Sequence, residues 1–467
     1  MWGIMRQHRL DRFDIGVAGA ILTLLTTIGV AVVRGDQVGI TVRAVSPQGS
    51  VSSRSAVQMT FDEAVDQASL EAYFSISPPA RGSFSVANEQ ATFRPSDPLM
   101  PAQIYHVSVR SGMPARSGRR LKHDVSWQLT VRTPRVVYLG PLTQSTQNLY
   151  IADPSAPGTA PQSITDSKND VMNYAVAPDG GQIVYSELLD DGTDPLFLWD
   201  AATHTSMLLY DCKDASCDNM IWRPDGTAFA FEHSAFNTGK GDTPGAARVW
   251  LFDMTSKTAR PLLGDDQVLT SEPRWLGDGM RLAMLSTADE GILIYNFATK
   301  QSTLFPIDTA QYDPNTMAEF SADGRFFYLQ EDVTLADGRG ATHLTLFDLS
   351  TTPPTSRDVE PPDEAVNDMD VAWGLDSNTL FVARAPLEMK GSLAAPISKL
   401  DLISGKATLL VNDDGYNQDN MQLSPTGDTL LFERTHISFS VPDSSIWVSE
   451  LSTGKLQLIA EDAWQAA

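Results

Sequence analysis

The sequence predicts an all-β protein with a β-propeller of seven blades, a β-sandwich in front of it and one N-terminal transmembrane helix. Three observations predict this fold. A short turn recurs six times, residues 39–134 alternate apolar and polar side chains in short runs, and nineteen uncharged residues lie near the N-terminus. The repeat indicates a propeller, the alternation a sandwich and the uncharged run a membrane span.

The repeated turn begins as "APDGGQIVYS" at Ala177 and returns as "RPDGTAFAFE", "LGDGMRLAML", "SADGRFFYLQ", "GLDSNTLFVA" and "SPTGDTLLFE". The third positions are 46, 53, 45, 53 and 50 residues apart, a period typical of propeller blades. In an Asp-Gly pair, Asp can bond its own backbone and Gly supplies a positive φ. Four copies keep this pair: Asp179 and Gly180, Asp225 and Gly226, Asp278 and Gly279, and Asp323 and Gly324. These residues therefore indicate turn structure rather than a binding site.

Residues 171–210 contain four predicted strands, apolar on both faces, as in sheets packed between neighbours. Residues 135–166 add three strand-like segments, which match a blade whose first strand is missing or comes from elsewhere. Counting this unit gives seven blades over residues 135–463, although six or eight stay open because curvature sets the number. Aromatic residues before the turn are predicted to fill the inner core: Trp222, Trp275, Phe320 and Trp373.

These repeats resemble the TolB-type (PD40, WD40-like) propeller repeat. The resemblance rests on the small-Pro-Asp-Gly turn followed by the strands "LFLWD" and "SMLLY", and it covers residues 171–463. It implies a propeller fold and a tendency to bind other macromolecules, and it brings no catalytic residues.

Residues 38–134 are predicted to form a separate β-sandwich. The segments "SPQG", "VQMTFDEAVD", "FRPSDPLMPAQIYHVSV" and "WQLTV" resemble a bacterial Ig-like domain of surface-layer and envelope proteins. The resemblance implies a spacer or adhesion module, with core and corner positions at Phe61, Phe93, Pro95, Leu99 and Tyr105.

The uncharged run Ile15–Val33 is long enough to cross a bilayer as a helix. Arg6, Arg9 and Arg12 precede it, so the positive-inside rule predicts a cytoplasmic tail over residues 1–14 and a transmembrane helix over 15–34. The rest of the chain would then lie outside the cell membrane. A cleaved signal peptide is the alternative, but its apolar region would normally be shorter, and no small-x-small site precedes Gly35.

The net charge of −24 limits the class of partner. The first 36 residues hold four Arg and three Asp, so the remaining chain carries about −25. Such a surface repels phosphate backbones, which excludes nucleic acid, and it suits basic partners, bound cations or plain solubility.

The two cysteines, Cys212 and Cys217, lie in a loop between blades. An extracytoplasmic location predicts a disulfide between them. A metal or redox role is disfavoured, because the spacing is not Cys-x-x-Cys and no His is nearby in sequence.

The sequence contains no serine-hydrolase elbow, zinc-protease motif, phosphate loop or dinucleotide-binding fingerprint. It therefore predicts no catalytic, cofactor-binding or metal residues. Glu319, Arg274 and Asp370 are the charged exceptions on the inner strands, and without geometry they define no acid–base pair. Calcium could bind in acidic loops, although none follows the twelve-residue calcium pattern. These loops contain Asp190, Asp191 and Asp194; Asp265 and Asp266; and Asp413, Asp414 and Asp419.

Two classes of function stay compatible with the sequence. The first is a membrane-anchored extracytoplasmic scaffold of the bacterial cell envelope, whose propeller binds a protein or a cell-wall polymer. The alternative is a propeller-type hydrolase or lyase acting on glycan or peptide. The absence of catalytic motifs favours the first, with recognition expected in the unequal loops 233–247, 331–342 and 384–396. Ligand identity and oligomeric state stay open.

Overall fold

The structure is a computed structural model. It describes residues 12–35, 39–213, 215–236, 245–264, 268–286, 291–307, 319–351, 353–361, 363–387, 394–413, 415–436 and 443–467. The chain divides into two compact units, of which the first ends at Val131 and the second runs from Arg132 to Ala467, with residues 52–54 assigned to the second.

Helix α1 spans Arg12–Gly35. Thr23 and Thr26 donate their hydroxyls to main-chain carbonyls one turn earlier, at Gly19 and Leu22, each at 2.8 Å. These bonds satisfy the two hydroxyl groups within the helix itself. Within the described residues, no helix meets the length and apolarity that crossing a membrane requires.

The first unit contains two four-stranded sheets and a short helix, α2, at Gln67–Tyr73. The strands are β1 (Val42–Ser46), β2 (Gly49–Val51), β3 (Val57–Phe61), β4 (Phe74–Ser77), β5 (Gly82–Ala87), β6 (Gln90–Pro95), β7 (Ile104–Val109) and β8 (Val125–Val131). One sheet has the order β1-β3-β6-β5 and the other β2-β8-β7-β4. Strands β2 and β8 pair in parallel, and the other pairs are antiparallel.

The core of this sandwich contains most of the positions expected for an Ig-like domain. Phe61, Phe93, Leu99 and Tyr105 are buried, whereas Pro95 is half-buried. The hydroxyl of Tyr105 accepts a hydrogen bond of 3.1 Å from the main-chain N–H of Met100, which gives this buried phenol a polar partner.

The second unit consists of sheets that follow one another in chain order. The first has three strands, β9 (Val136–Gly140), β10 (Asn148–Ala152) and β11 (Gln162–Ser163). Three four-stranded sheets follow: β12 (Val171–Val176), β13 (Gln182–Glu187), β14 (Leu196–Asp200) and β15 (Thr205–Tyr210); β16 (Ala215–Trp222), β17 (Ala228–Ala235), β18 (Arg248–Asp253) and β19 (Thr258–Pro261); β20 (Thr270–Trp275), β21 (Arg281–Ser286), β22 (Gly291–Asn296) and β23 (Gln301–Pro306).

The remaining strands form an eight-stranded sheet and a final four-stranded sheet. The former contains β24 (Glu319–Phe320), β25 (Phe326–Thr334), β26 (Gly340–Asp348), β27 (Thr355–Asp358), β28 (Val366–Trp373), β29 (Thr379–Pro386), β30 (Ile397–Asp401) and β31 (Ala407–Val411). The latter contains β32 (Tyr416–Leu423), β33 (Thr429–His436), β34 (Ser444–Glu450) and β35 (Lys455–Glu461). One parallel pairing, Thr342 with Asn367, joins the two halves of the eight-stranded sheet. The described strands thus form seven antiparallel groups.

The first strands of successive groups lie against one another, from β12 through β16, β20, β24 and β28 to β32. In a propeller this arrangement places them around the central axis. Three of the aromatic residues expected in the inner core join these strands. The indole Nε1 of Trp222 donates to Ala175 O at 3.0 Å, and Trp275 and Trp373 donate in the same way to Ile221 O (3.2 Å) and Glu319 O (3.0 Å).

The C-terminal segment completes the first sheet. Leu139 in β9 and Trp464 exchange two main-chain hydrogen bonds, each 3.0 Å long, and Val137 and Ala467 exchange two more at 2.8 Å. The strand expected from elsewhere in the chain therefore comes from residues 463–467, four of which lie beyond the predicted propeller boundary at 463.

Candidate functional site

The predicted turn residues adopt the expected conformations. Gly180, Gly226, Gly279 and Gly324 have φ angles of 62°, 71°, 64° and 67°. Each preceding Asp accepts a hydrogen bond at Oδ1 from the N–H two residues later, at 2.8–3.0 Å. In the fifth copy Ser377 replaces glycine and takes a φ of 56°. These side chains are occupied in closing turns.

Cys212 and Cys217 form a disulfide, and both residues are buried. The carboxylate of Asp194 accepts hydrogen bonds from Ser216 Oγ at 2.7 Å and from the Cys217 N–H at 3.1 Å. Asp194 therefore fixes the disulfide loop rather than standing in an open acidic loop.

A set of carboxylates lies on the first and second strands of successive groups and is here called the acidic ring. The sequence pattern alone predicts few of its members. The acidic ring comprises Asp218, Glu232, Glu272, Glu319, Asp370, Asp419 and Glu433. The available signal was a tripeptide, Asp-Asn-Met, at residues 218–220 and again at 419–421. Both copies stand seven residues before the third turn position, and a Glu follows seven residues after it.

The two copies build the same local structure. Asn219 Nδ2 donates to Glu232 Oε1 at 2.7 Å, and the N–H of Glu272 donates to the same oxygen at 2.7 Å. Likewise, Asn420 donates to Glu433 Oε1, which also accepts from the Ala466 N–H at 3.2 Å. In both copies a second-strand carboxylate links its own blade to the next.

The three charged residues that the sequence places on the inner strands, Glu319, Arg274 and Asp370, all lie in or beside the acidic ring. Arg274 lies 3.2 Å from Glu272 and 3.5 Å from Glu319. Asp370 accepts a 2.8 Å hydrogen bond from the N–H of Met421, in the next blade. Arg274 thus compensates two carboxylates of the acidic ring.

Burial raises the pKa of most ring carboxylates, and their mutual repulsion adds to the effect. The pKa of Asp419 rises to about 7 through burial, then through the charges of Glu433 and Asp370. Burial likewise raises the pKa values of Asp218 and Glu232, with smaller contributions from neighbouring carboxylates.

The acidic loops considered for calcium do not assemble a site in the described residues. No group of three or more His, Cys, Asp or Glu side chains within those residues is placed to hold a metal ion. Asp191 accepts from Thr193, and Asp413 pairs with Arg434. Asp265, Asp266 and Asp414 lie outside the described residues, as do residues 237–244 and 388–393 of the expected recognition loops.

A separate cleft of about 560 Å³ opens on the last sheet and beside the first. It is here called the Arg434 cleft, and it is lined by Thr143, Tyr416, Arg434, Asp443, Ser445, Trp447, Leu458, Glu461 and Asp462. It lies at the closure of the propeller, because Asp462 accepts hydrogen bonds from Thr143 N–H at 2.8 Å and from its hydroxyl at 2.5 Å.

Two aromatic rings and a carboxylate hold the Arg434 guanidinium. Its Cζ lies 4.2 Å from the Tyr416 ring centroid and 4.9 Å from the Trp447 ring centroid, within cation–π range. Asp413 forms its ion pair. The Ser445 hydroxyl donates to Arg434 O at 3.3 Å and accepts from Trp447 Nε1 at 3.0 Å. Since neither partner is a general base, Ser445 lacks the arrangement of an activated nucleophile.

The sequence and the structure were compared with those of known proteins. Residues 36–131 match the bacterial Ig-like domain family. Oligogalacturonate lyase from Vibrio parahaemolyticus is similar in structure, with a TM-score of 0.50 and 12% identity over 70% of this chain and 86% of that one. TolB from Acinetobacter baumannii gives a TM-score of 0.40 and 14% identity over 86% and 85% of the two chains. No curated protein matches the chain.

The β-propeller domain of the Trilobed protease from Pyrococcus furiosus gives a TM-score of 0.45 and 10% identity over 62% of this chain and 84% of that one. At such identities, structural likeness concerns the fold alone. The chain thus combines a segment that matches the bacterial Ig-like domain family with a β-propeller fold.

Proposed function

We propose that this protein is a membrane-anchored scaffold of the bacterial cell envelope, whose seven-bladed propeller binds a protein or cell-wall partner. The observation that carries the proposal is the Arg434 cleft, which has aromatic walls and polar groups. Concave sites of this size with aromatic walls are typical of ligand recognition. The Ig-like domain supports an envelope location, because its resemblance to bacterial Ig-like domains implies a spacer or adhesion module.

A pull-down from bacterial envelope extracts tests the binding function. Full-length protein in detergent is the bait, and captured material is identified by mass spectrometry and peptidoglycan analysis. The matched control bait carries Trp447→Ala, which removes one wall of the cleft. Capture of one stoichiometric partner by the wild type and its loss with a folded Trp447→Ala bait are expected. Equal capture by both baits would place recognition away from the cleft, and the lack of any partner would count against a scaffold.

The anchor has support in the sequence alone: the uncharged run Ile15–Val33 and the preceding arginines. Fractionation of cells that express the full chain tests it. We expect the protein to stay in the membrane pellet after alkaline carbonate washing, with its N-terminus intact and its bulk digested by external protease. A soluble mature protein that starts after residue 30 would show a cleaved signal peptide instead.

A second function, hydrolysis or elimination on a glycan or peptide, has one observation in its favour. Asp419, with a pKa of about 7, is electrostatically coupled to Asp370 and Glu433. A carboxyl group that holds a proton near neutral pH is suited to general acid–base catalysis. Turnover of an oligosaccharide or peptide library, abolished by Asp419→Asn, would establish this function in place of the scaffold.

A further inference from the structure

We infer that the Arg434 cleft recognises a cationic side chain, lysine or arginine, presented by a protein partner. The inference rests on the proposed binding function and specifies the chemistry of its ligand. It starts from the charges of the cleft wall. Arg434 is paired with Asp413, whereas Asp443, Glu461 and Asp462 face no lysine and no other arginine among the described residues that line the cleft.

The carboxylates are placed for an incoming ligand. Asp443 and Glu461 are exposed. In the strand register Glu461 lies opposite Ser445, and Ser445 lies opposite Arg434. Thr143 holds both oxygens of Asp462 through hydrogen bonds, so this third carboxylate is fixed in orientation. A row of carboxylates beside an already neutralised arginine favours a cation and repels an anion.

The apolar groups of the cleft fit the rest of such a side chain. Trp447 and Leu458 are opposite each other in register, and Leu458 is 40% exposed. Lysine and arginine bury their methylene stems along apolar surfaces while their charged ends reach polar groups. The cleft thus offers an apolar wall and an acidic rim together.

Calorimetric titration of the full-length protein in detergent with defined probes tests the inference. The probes are acetyl-Gly-Lys-Gly-amide and acetyl-Gly-Arg-Gly-amide, compared with the norleucine and glutamate analogues and with a neutral chitin tetrasaccharide. We expect the cationic peptides to bind at least about tenfold tighter than the norleucine peptide. Equal binding of the norleucine or glutamate peptide, or tighter binding of the tetrasaccharide, would overturn the inference.

The variant Asp443→Asn/Glu461→Gln should weaken binding of the cationic probes by at least about tenfold. Asp190→Asn/Asp191→Asn removes the same charge elsewhere and should change binding less than about twofold. Equal losses in both variants would show non-specific attraction and would also overturn the inference. If the cationic probes fail but the envelope pull-down still captures a partner, the inference alone is wrong. If neither binds, the proposed function fails with it.

Discussion

Leu139 and Trp464 exchange two main-chain hydrogen bonds of 3.0 Å, although 325 positions separate them in sequence. This pair joins the last part of the described chain to the first sheet of the propeller. Ala463 and Ala466 are buried in the same cluster as Tyr138 and Ile446, so the contact is also apolar. The closure holds the first and last sheets together.

Deletion of residues 463–467 should destabilise the propeller by several kcal/mol, on the order of 1 kcal/mol for each of the four main-chain hydrogen bonds to the first sheet. Burial lost with Ala463, Trp464 and Ala466 adds to this cost. Urea denaturation followed by circular dichroism measures it. The milder Trp464→Phe removes the 2.9 Å bond from Nε1 to Gln147 Oε1 and should cost about 1 kcal/mol. A deletion no more harmful than Trp464→Phe would contradict the closure.

Asp419→Asn should stabilise the protein at neutral pH. The pKa of Asp419 in the folded state, about 7, is above its unfolded value, so the native state binds a proton that the unfolded chain has released. The stabilisation that this bound proton gives the native state is complete below the unfolded pKa and is lost as the pH rises through about 7. Near pH 7.5 the variant should gain about 1–2 kcal/mol, and near pH 4 almost nothing.

The matched control for this experiment is Asp401→Asn. Hydrogen bonds from the Ser404 N–H and hydroxyl lower the pKa of Asp401, so its contribution has the opposite sign: it is present above the unfolded pKa. Urea midpoints measured from pH 4 to pH 8 separate the two variants. A midpoint difference for Asp419→Asn that does not change with pH would show that Asp419 is not protonated in the native state.

Arg384 is the cation of a buried cluster, 2.6 Å from Asp368 and paired with Glu360. Burial, then the charge of Asp368, raises the pKa of Glu360 to about 8 even with the arginine in place. Arg384→Met should cost about 3–5 kcal/mol at pH 8, because it leaves two carboxylates without their cation. The loss should shrink near pH 5, where Glu360 is protonated.

Arg339→Met is the control for Arg384→Met, since the Arg339–Asp337 pair is exposed. Its removal should cost less than about 1 kcal/mol at either pH. Comparable losses in the two variants, measured by thermal unfolding at pH 5 and pH 8, would show that the Arg384 cluster is not an energetic centre.

The fold was largely predictable because turn chemistry is local. An Asp-Gly pair such as Asp179 and Gly180 predicts a turn without knowledge of the rest of the fold, and copies of that turn at regular spacing predict blades. The missing first strand of the first sheet could be inferred, but its source could not, since Trp464 pairs with Leu139 through main-chain atoms that carry no sequence signal. The blade count in the proposed function rests on that closure.

The candidate site was not predictable for a different reason. Arg434, Tyr416 and Trp447 are on three strands, and their stacking depends on register, which a single sequence does not show. The acidic ring was partly visible. Glu319, Arg274 and Asp370 were recognised as charged exceptions, yet only the packing of neighbouring first strands brings Arg274 to Glu319.

The disulfide between Cys212 and Cys217 closes a loop with a sequence separation of 5 residues. Loop-closure entropy for so short a loop gives about 2 kcal/mol, so Cys212→Ala/Cys217→Ala should lose that amount in urea denaturation. Reductant should produce a similar loss in the wild type and none in the variant, which is the internal control. If the wild type is unaffected by a reductant that frees both thiols, as verified by alkylation and mass mapping, the packing of the buried sulfurs rather than the covalent link stabilises this loop.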